Sequence, residues 1–246
     1  LSALESSLLA SAISSFSSLT SRIALTVLLY FFIAAKYVLI LSSTIPIERN
    51  KKHELNTILF NMEKQRCPWV NDNPLMIEYH DKEWGTPLKE DNNLFEFLIL
   101  DAFQAGLSWN TIINKRENFK KAFDNFNAEK IAKYTDKDRQ RLMQDAGIIR
   151  NRLKIEAAII NAQKFLDLKK QTTFSNYIWQ FVNHKTIKNN PKTIKDYQSK
   201  SKESDTMSIA LKEKGFKFVG STICYAFMQA AGLVNDHSVD CFRNKM

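Results

Sequence analysis

The sequence predicts an all-α domain over residues 62–246, and three observations carry that prediction. From Asp91 onward apolar residues recur at helical rather than alternating spacing. Asn, Asp and Ser stand ahead of the apolar runs and Gly just behind them, where helices start and stop. No run of alternating β-branched residues competes with that pattern.

Leu94, Phe95, Phe97, Leu98 and residues 101–107 mark a helix beginning at Asp91, and 109–123 continues it through Ile112, Ile113, Phe119 and Phe123. Asn127 caps a helix over 128–134 and Asp136 another that runs to Asp145, because such side chains accept hydrogen bonds from the free N–H groups of a first turn. Gly147 ends that helix. The next, over 150–168, presents Ile155, Ala158, Ile159, Ala162 and Phe165, and a short one fits 174–182. Residues 185–203, Lys-rich with Pro191 among them, read as a loop. A helix over 204–214 has Gly215 past its end, as a left-handed cap prefers. The apolar last helix, 221–231, stops at Gly232.

Residues 1–61 are a different kind of sequence. Residues 1–22 are rich in Ser, Leu and Ala, and 23–41 is a 19-residue apolar run broken only by Lys36. That length suits a transmembrane helix, with the central lysine the obstacle. The run is too long for a secretory leader, and no small-x-small cleavage site follows it. Met62 stands five residues before Cys67, so 1–61 also reads as an upstream extension that the functional protein does not need. The expectation is a cytoplasmic protein, anchored to a membrane through 23–41 only if that extension is used.

The formal net charge is +9 and the pI near 9.3. Residues 1–61 hold five basic and three acidic side chains, which leaves 30 and 23 for residues 62–246. The basic excess therefore belongs to the domain and favours an anionic partner, nucleic acid foremost; a merely soluble basic surface is the alternative. Three cysteines, an odd number, argue against a disulfide framework and for a reducing compartment. Cys224, in an apolar helical pattern, reads as a small core residue.

Three constellations carry chemistry. Cys67 and His80 near the start of the domain and His237 and Cys241 near its end make a two-Cys, two-His set, the donor type of a closed structural zinc site. His237 and Cys241 share a helical face if their segment is helical. The wide gap between Cys67 and His80 is not that of a compact finger, so four unrelated residues remain the other reading. The second constellation, residues 142–154, is a helix, a tight turn at Gly147 and a helix that begins with Arg150, Arg152 and Lys154. Such a hairpin offers backbone N–H groups and charge to a phosphate, or is an ordinary helical hairpin with a solvated basic face. The third places Asp101 and Gln104 three residues apart on an apolar helix, ahead of Trp109. Buried, they either satisfy backbone groups or line a pocket.

These features stand in order among words that resemble the 3-methyladenine DNA glycosylase I family: Arg-Cys-Pro-Trp at 66–69, Tyr-His-Asp-Lys-Glu-Trp-Gly at 79–85, and Gln-Ala-Gly-Leu-Ser-Trp at 104–109. They continue with Gln-Asp-Ala-Gly-Ile-Ile-Arg at 144–150, Phe-Val-Asn-His at 181–184, Gly-Phe-Lys-Phe-Val-Gly at 215–220 and Gly-Leu-Val-Asn-Asp-His at 232–237. The resemblance covers essentially everything after Met62 and none of residues 1–61.

It implies an all-α helix-hairpin-helix fold and a structural Zn2+ joining the ends of the domain through Cys67, His80, His237 and Cys241. It also implies an enzyme that acts on double-stranded alkylated DNA and hydrolyses the N-glycosidic bond of 3-methyladenine, releasing the free base and leaving an abasic site; a monomer is expected. The pocket residues it implies are Tyr79, Asp101 and Trp109, with Trp69 and Trp84 close by and Gln104 on the face of Asp101. Asp101 stands where the best-described members carry Glu, one methylene longer. Phosphate contacts are expected from the Gly147 and Ile148 backbone, from Arg150, Arg152 and Lys154, and from Lys217 near the pocket mouth. The rival class is a non-catalytic helix-hairpin-helix protein that binds DNA without releasing a base.

Overall fold

The computed structural model describes residues 64–245, so the run at 23–41 lies outside the described residues. Among the described residues no helix is long and apolar enough to cross a membrane. Helix α1 (Pro74–Lys82) has Pro at its first position and Asn73 as its cap, the Asn73 side chain accepting from the Leu75 N–H. The sequence reading left this helix out: its buried residues are Met76, Tyr79 and His80, a short face with little aliphatic signal.

Helix α2 (Asp91–Gln104) is the post around which the others pack. Its buried residues run from Leu94 through Phe103 with few breaks, so it is apolar all round, as a helix enclosed on every side must be. It packs against α7 (Arg152–Lys169), where Phe95 meets Phe165 at 4.8 Å between ring centres, and on another side its Phe103 meets Phe119, of the segment 116–122, at 4.8 Å. The expected continuous helix over 109–123 is two, α3 (Trp109–Ile113) and α4 (Arg116–Ala122). Asn114 breaks it by donating its side-chain amide to the Asn110 carbonyl.

Helices α5 (Ala128–Ile131) and α6 (Asp136–Gln144) follow. Asn127 caps α5 as expected, but Thr135 rather than Asp136 caps α6, in a reciprocal box with Asp138. Helix α6 ends before Gly147, at Gln144. Then come α7, capped by Asn151, and α8 (Phe174–Trp179). Helix α9 (Lys202–Glu213), capped by Ser201, begins two residues before the expected start at 204, and α10 (Ser221–Ala230) closes the helical core.

The region 185–203 is more ordered than a plain loop. Ile187–Lys188 (β1) pairs in parallel with Val234–Asn235 (β2), Ile187 opposite Val234, and a 3-10 turn covers Ile194–Asp196. Gly232 shows why the last helix stops where it does. Its φ is +71°, and a Cβ there would sit 2.2 Å from the Thr86 carbonyl carbon, so only glycine lets these two strands of backbone touch.

Candidate functional site

A cavity of about 280 Å³ opens between α1, α2, α3 and α10. Its walls hold Trp69, Tyr79, Trp84, Asp101, Gln104 and Trp109, so all six residues read as base-binding or catalytic meet in one place. Each arrives for a local reason. Tyr79 lies on α1; Trp84 follows that helix, its N–H bonded to the Tyr79 carbonyl at 2.9 Å. Asp101 and Gln104 share a face in the last turn of α2. Trp109 is the first residue of α3, whose N-cap is Ser108. Tyr79 and Trp109 stand 5.0 Å apart between ring centres, and Trp69 meets Trp84 edge-on at 4.8 Å.

Asp101 is 1% exposed, and among the described residues its Oδ2 has no partner. Among the described residues no Lys, Arg or His lines the cavity. Burial with no cation to offset it pushes the Asp101 carboxyl well above its ordinary range. Burial also raises the Tyr79 phenol, with the Asp101 charge adding to it. The Trp69 and Trp109 indole N–H groups are likewise buried without a partner. Buried polar atoms left unpaired inside a polar-lined hollow are what a ligand with matching donors and acceptors would satisfy.

Five further lining residues were not read from the sequence. Ile194 comes from the 3-10 turn in the Lys-rich connection, Tyr197 and Gln198 from the residues just after it, and Ala226 and Gln229 from α10. The Thr193 and Asp196 pair, a reciprocal capping box, was the available sign that the connection is structured.

Behind Trp69 and Trp84, Cys67, His80, His237 and Cys241 are all buried, and their ligand atoms lie within 4.8 Å of one another. Cys67 Sγ is 3.4 Å from His237 Nδ1, and Cys241 Sγ is 3.4 Å from His80 Nε2 and 3.5 Å from His237 Nδ1. A tetrahedral ion with bonds of about 2.3 Å to sulfur and 2.05 Å to nitrogen spaces such pairs about 3.5 Å apart. The other ring nitrogens are engaged: His80 Nδ1 lies 2.8 Å from Asp81 Oδ1, and His237 Nε2 3.0 Å from the Trp84 carbonyl. Both acceptors call for N–H at those positions, which leaves the inward nitrogens unprotonated with their lone pairs toward the group, the His80 Nε2 also facing the Cys67 N–H at 3.4 Å. The Cys241 thiol beside Cys67, joined by His237 and His80, lowers Cys67 toward thiolate against its burial. The residues therefore fit a metal ion. The helical face expected for His237 and Cys241 is absent; a turn closed by the Cys241 N–H on the Ser238 carbonyl, 2.8 Å, brings them together instead.

The hairpin between α6 and α7 departs from expectation at three positions. The Gly147 N–H is taken by Asp145 Oδ1 at 2.7 Å, and that of Ile148 turns back on the Asp145 carbonyl. Lys154 is buried, and its Nζ donates to the carbonyls of Phe103 and Ala105 at 2.8 and 2.6 Å. It closes the C-terminal end of α2 and is not a surface charge. Arg150 and Arg152 are exposed, and among the described residues the Ile149 and Arg150 N–H groups have no protein partner. Lys217 is exposed and outside the cavity wall, its backbone clasped by Asn161.

Comparison with known proteins agrees with this geometry. The model of the methyladenine glycosylase family matches residues 69–244. DNA-3-methyladenine glycosylase 1 of Escherichia coli (strain K12) is 48% identical over 178 residues, 72% of this chain and 95% of that protein. The Haemophilus influenzae DNA-3-methyladenine glycosylase is 48% identical over 177 residues, 72% of this chain and 96% of that protein. A crystal structure of 3-methyladenine DNA glycosylase I superposes with a TM-score of 0.71 at 45% identity, covering 72% of this chain and 98% of its own. That of the Staphylococcus aureus enzyme, which concerns 3-methyladenine recognition, gives 0.70 at 36% identity over 73% and 96%. With the motifs, the fold and the cavity in agreement, the chain belongs to the methyladenine glycosylase family.

Proposed function

We propose that the cavity receives a 3-methyladenine extruded from alkylated DNA and that the chain hydrolyses its N-glycosidic bond. The chain is a DNA-3-methyladenine glycosylase, an enzyme of base-excision repair, as its relatives are named. One observation carries the assignment of the cavity: among the described residues, Asp101 offers an unpartnered oxygen inside an aromatic hollow lined by no cationic side chain.

Methylation at N3 makes adenine a cation. Each ring face it meets attracts it by about 0.5–2 kcal/mol, and Tyr79 and Trp109 are the nearest such pair. The same charge offsets the desolvation that otherwise keeps Asp101 neutral, so the carboxylate and the damaged base stabilise one another. Unmodified adenine supplies no such charge. Extrusion costs a few kcal/mol, least for a poorly stacked nucleotide.

The cationic purine is already a good leaving group. The bond from its N9 to C1′ breaks with both electrons going to the base, and the sugar passes through an oxocarbenium-like state. Asp101 and the DNA phosphates stabilise that positive charge; water then adds at C1′ and gives up its proton. No covalent nucleophile is assigned.

Two thiol and two imidazole donors at this spacing suit structural Zn2+, which when bound ties the ends of the domain together and, with four protein ligands, has no open position for an activated water. Arg150, Arg152 and the Ile149 and Arg150 N–H groups, unpartnered among the described residues, are the phosphate contacts that remain once Lys154 is withdrawn, with exposed Lys217 a further candidate. The deciding experiment incubates the full chain with methylated duplex DNA and analyses the released bases by chromatography. Free 3-methyladenine is expected; salt-dependent DNA binding with no released base would favour the non-catalytic alternative.

A further inference from the structure

Gln229 lines the cavity from α10, and its amide has one orientation open to it. Its Nε2 donates to Asp236 Oδ2 at 2.7 Å. Asp236 is 1% exposed and is enclosed by donors: the Tyr225 hydroxyl at 2.8 Å and Asn189 Nδ2 at 2.7 Å complete its set. A carboxylate in that setting accepts only, so the amide nitrogen faces Asp236 and the amide oxygen is the atom left for the cavity. Turning the amide over would set two oxygens against each other in a buried place.

Asp236 is itself held by the backbone on both sides. It follows β2 and precedes His237, whose ring joins the metal-ligating group. Asp101 can accept or donate according to whether it carries a proton, whereas the Gln229 oxygen can only accept. From this geometry, and resting on the reading of the cavity as a base pocket, we infer that Gln229 is a specificity-determining residue. Fixed as an acceptor by Asp236, it selects purines that present an exocyclic amine over those that present a carbonyl at the same edge.

A carbonyl there would face the amide oxygen with no proton between them, and a site built to pair with a donor rejects the analogue that lacks one. The test compares two probes, 3-methyladenine and 3-methylhypoxanthine, which differ at that edge by amine against carbonyl. Binding to the full chain is read by quenching of tryptophan fluorescence or by calorimetry. The unaltered chain should prefer 3-methyladenine by about tenfold or more. Gln229→Met should reduce that preference to about twofold or less, and Asp236→Asn, which lets the amide turn over, should shift it toward the carbonyl base. Thermal melting identifies which variants are folded, and either one alone decides. A folded variant that keeps the full preference overturns the inference while leaving the pocket assignment intact. Failure of the unaltered chain to bind 3-methyladenine would instead overturn the pocket assignment beneath it.

Discussion

The Lys154 ammonium donates to the Phe103 carbonyl at 2.8 Å, so the first turn of the helix after the hairpin closes the last turn of the helix that carries Asp101. Lys154→Met leaves two carbonyls without their donor. It should lower unfolding stability by about 2–3 kcal/mol, measured in urea, and leave the salt dependence of DNA binding unchanged. Arg150→Ala should do the reverse, costing little stability and reducing the slope of log K against log salt by about one.

Asp101→Asn removes the anion that matches the cationic base. Excision of 3-methyladenine should fall by about a hundredfold in single-turnover assays, the usual scale for one lost electrostatic partner in a closed site. The same change should raise the melting temperature at neutral pH. Asp101 keeps a proton in the folded chain that the unfolded chain has released, so its contribution to stability declines as pH rises from the ordinary carboxylate value of 3.8 toward its raised folded value. Asparagine has no such proton to lose.

Binding the cation requires the carboxylate. The excision rate of the unaltered enzyme should therefore rise with pH through a titration above the ordinary carboxylate range, because burial raises Asp101. That step should vanish in Asp101→Asn, and a pH–rate profile on methylated duplex DNA measures it.

Asp81 holds the outward nitrogen of His80 at 2.8 Å and is held in turn by Arg66 at 2.7 Å. Asp81→Ala should weaken metal binding by about 10–100-fold in competition with a chelator, though it removes no ligand. Cys241→Ser removes one outright. With a metal bound, the clip would close a separation of 170 residues, Cys67 to His237, and losing it should cost about 5 kcal/mol by chain entropy alone.

Gly232→Ala forces a Cβ to within 2.2 Å of the Thr86 carbonyl carbon at a φ of +71°. The expected loss is about 3–5 kcal/mol, seen as a lower melting temperature, with the residual folded fraction still excising 3-methyladenine.

The long helices were legible because α2, α7 and α10 bury enough apolar surface to mark their period in the chain. Helix α1 was not, since the residues it buries, Tyr79 and His80, serve the cavity and the metal group instead of an aliphatic stripe. About half of the cavity wall was readable, Asp101, Gln104 and Trp109 from their own pattern and Tyr79, Trp69 and Trp84 only through the family resemblance. The other half sits where composition points elsewhere: Tyr197 and Gln198 in a Lys-rich connection, and Gln229 as one amide in an apolar helix. Lys154 reads as a surface base because a basic run does not reveal that two carbonyls of another helix lie over one member.

The Cys67, His80, His237 and Cys241 group draws two of its members from the first part of the domain and two from its last residues. A ribosome therefore releases most of this enzyme before the group has its full set of donors. A chain cut short before His237 keeps Tyr79, Asp101 and Trp109 but lacks two of the four donors behind Trp69 and Trp84, so the backing of that cavity wall is completed only by the last residues of the domain.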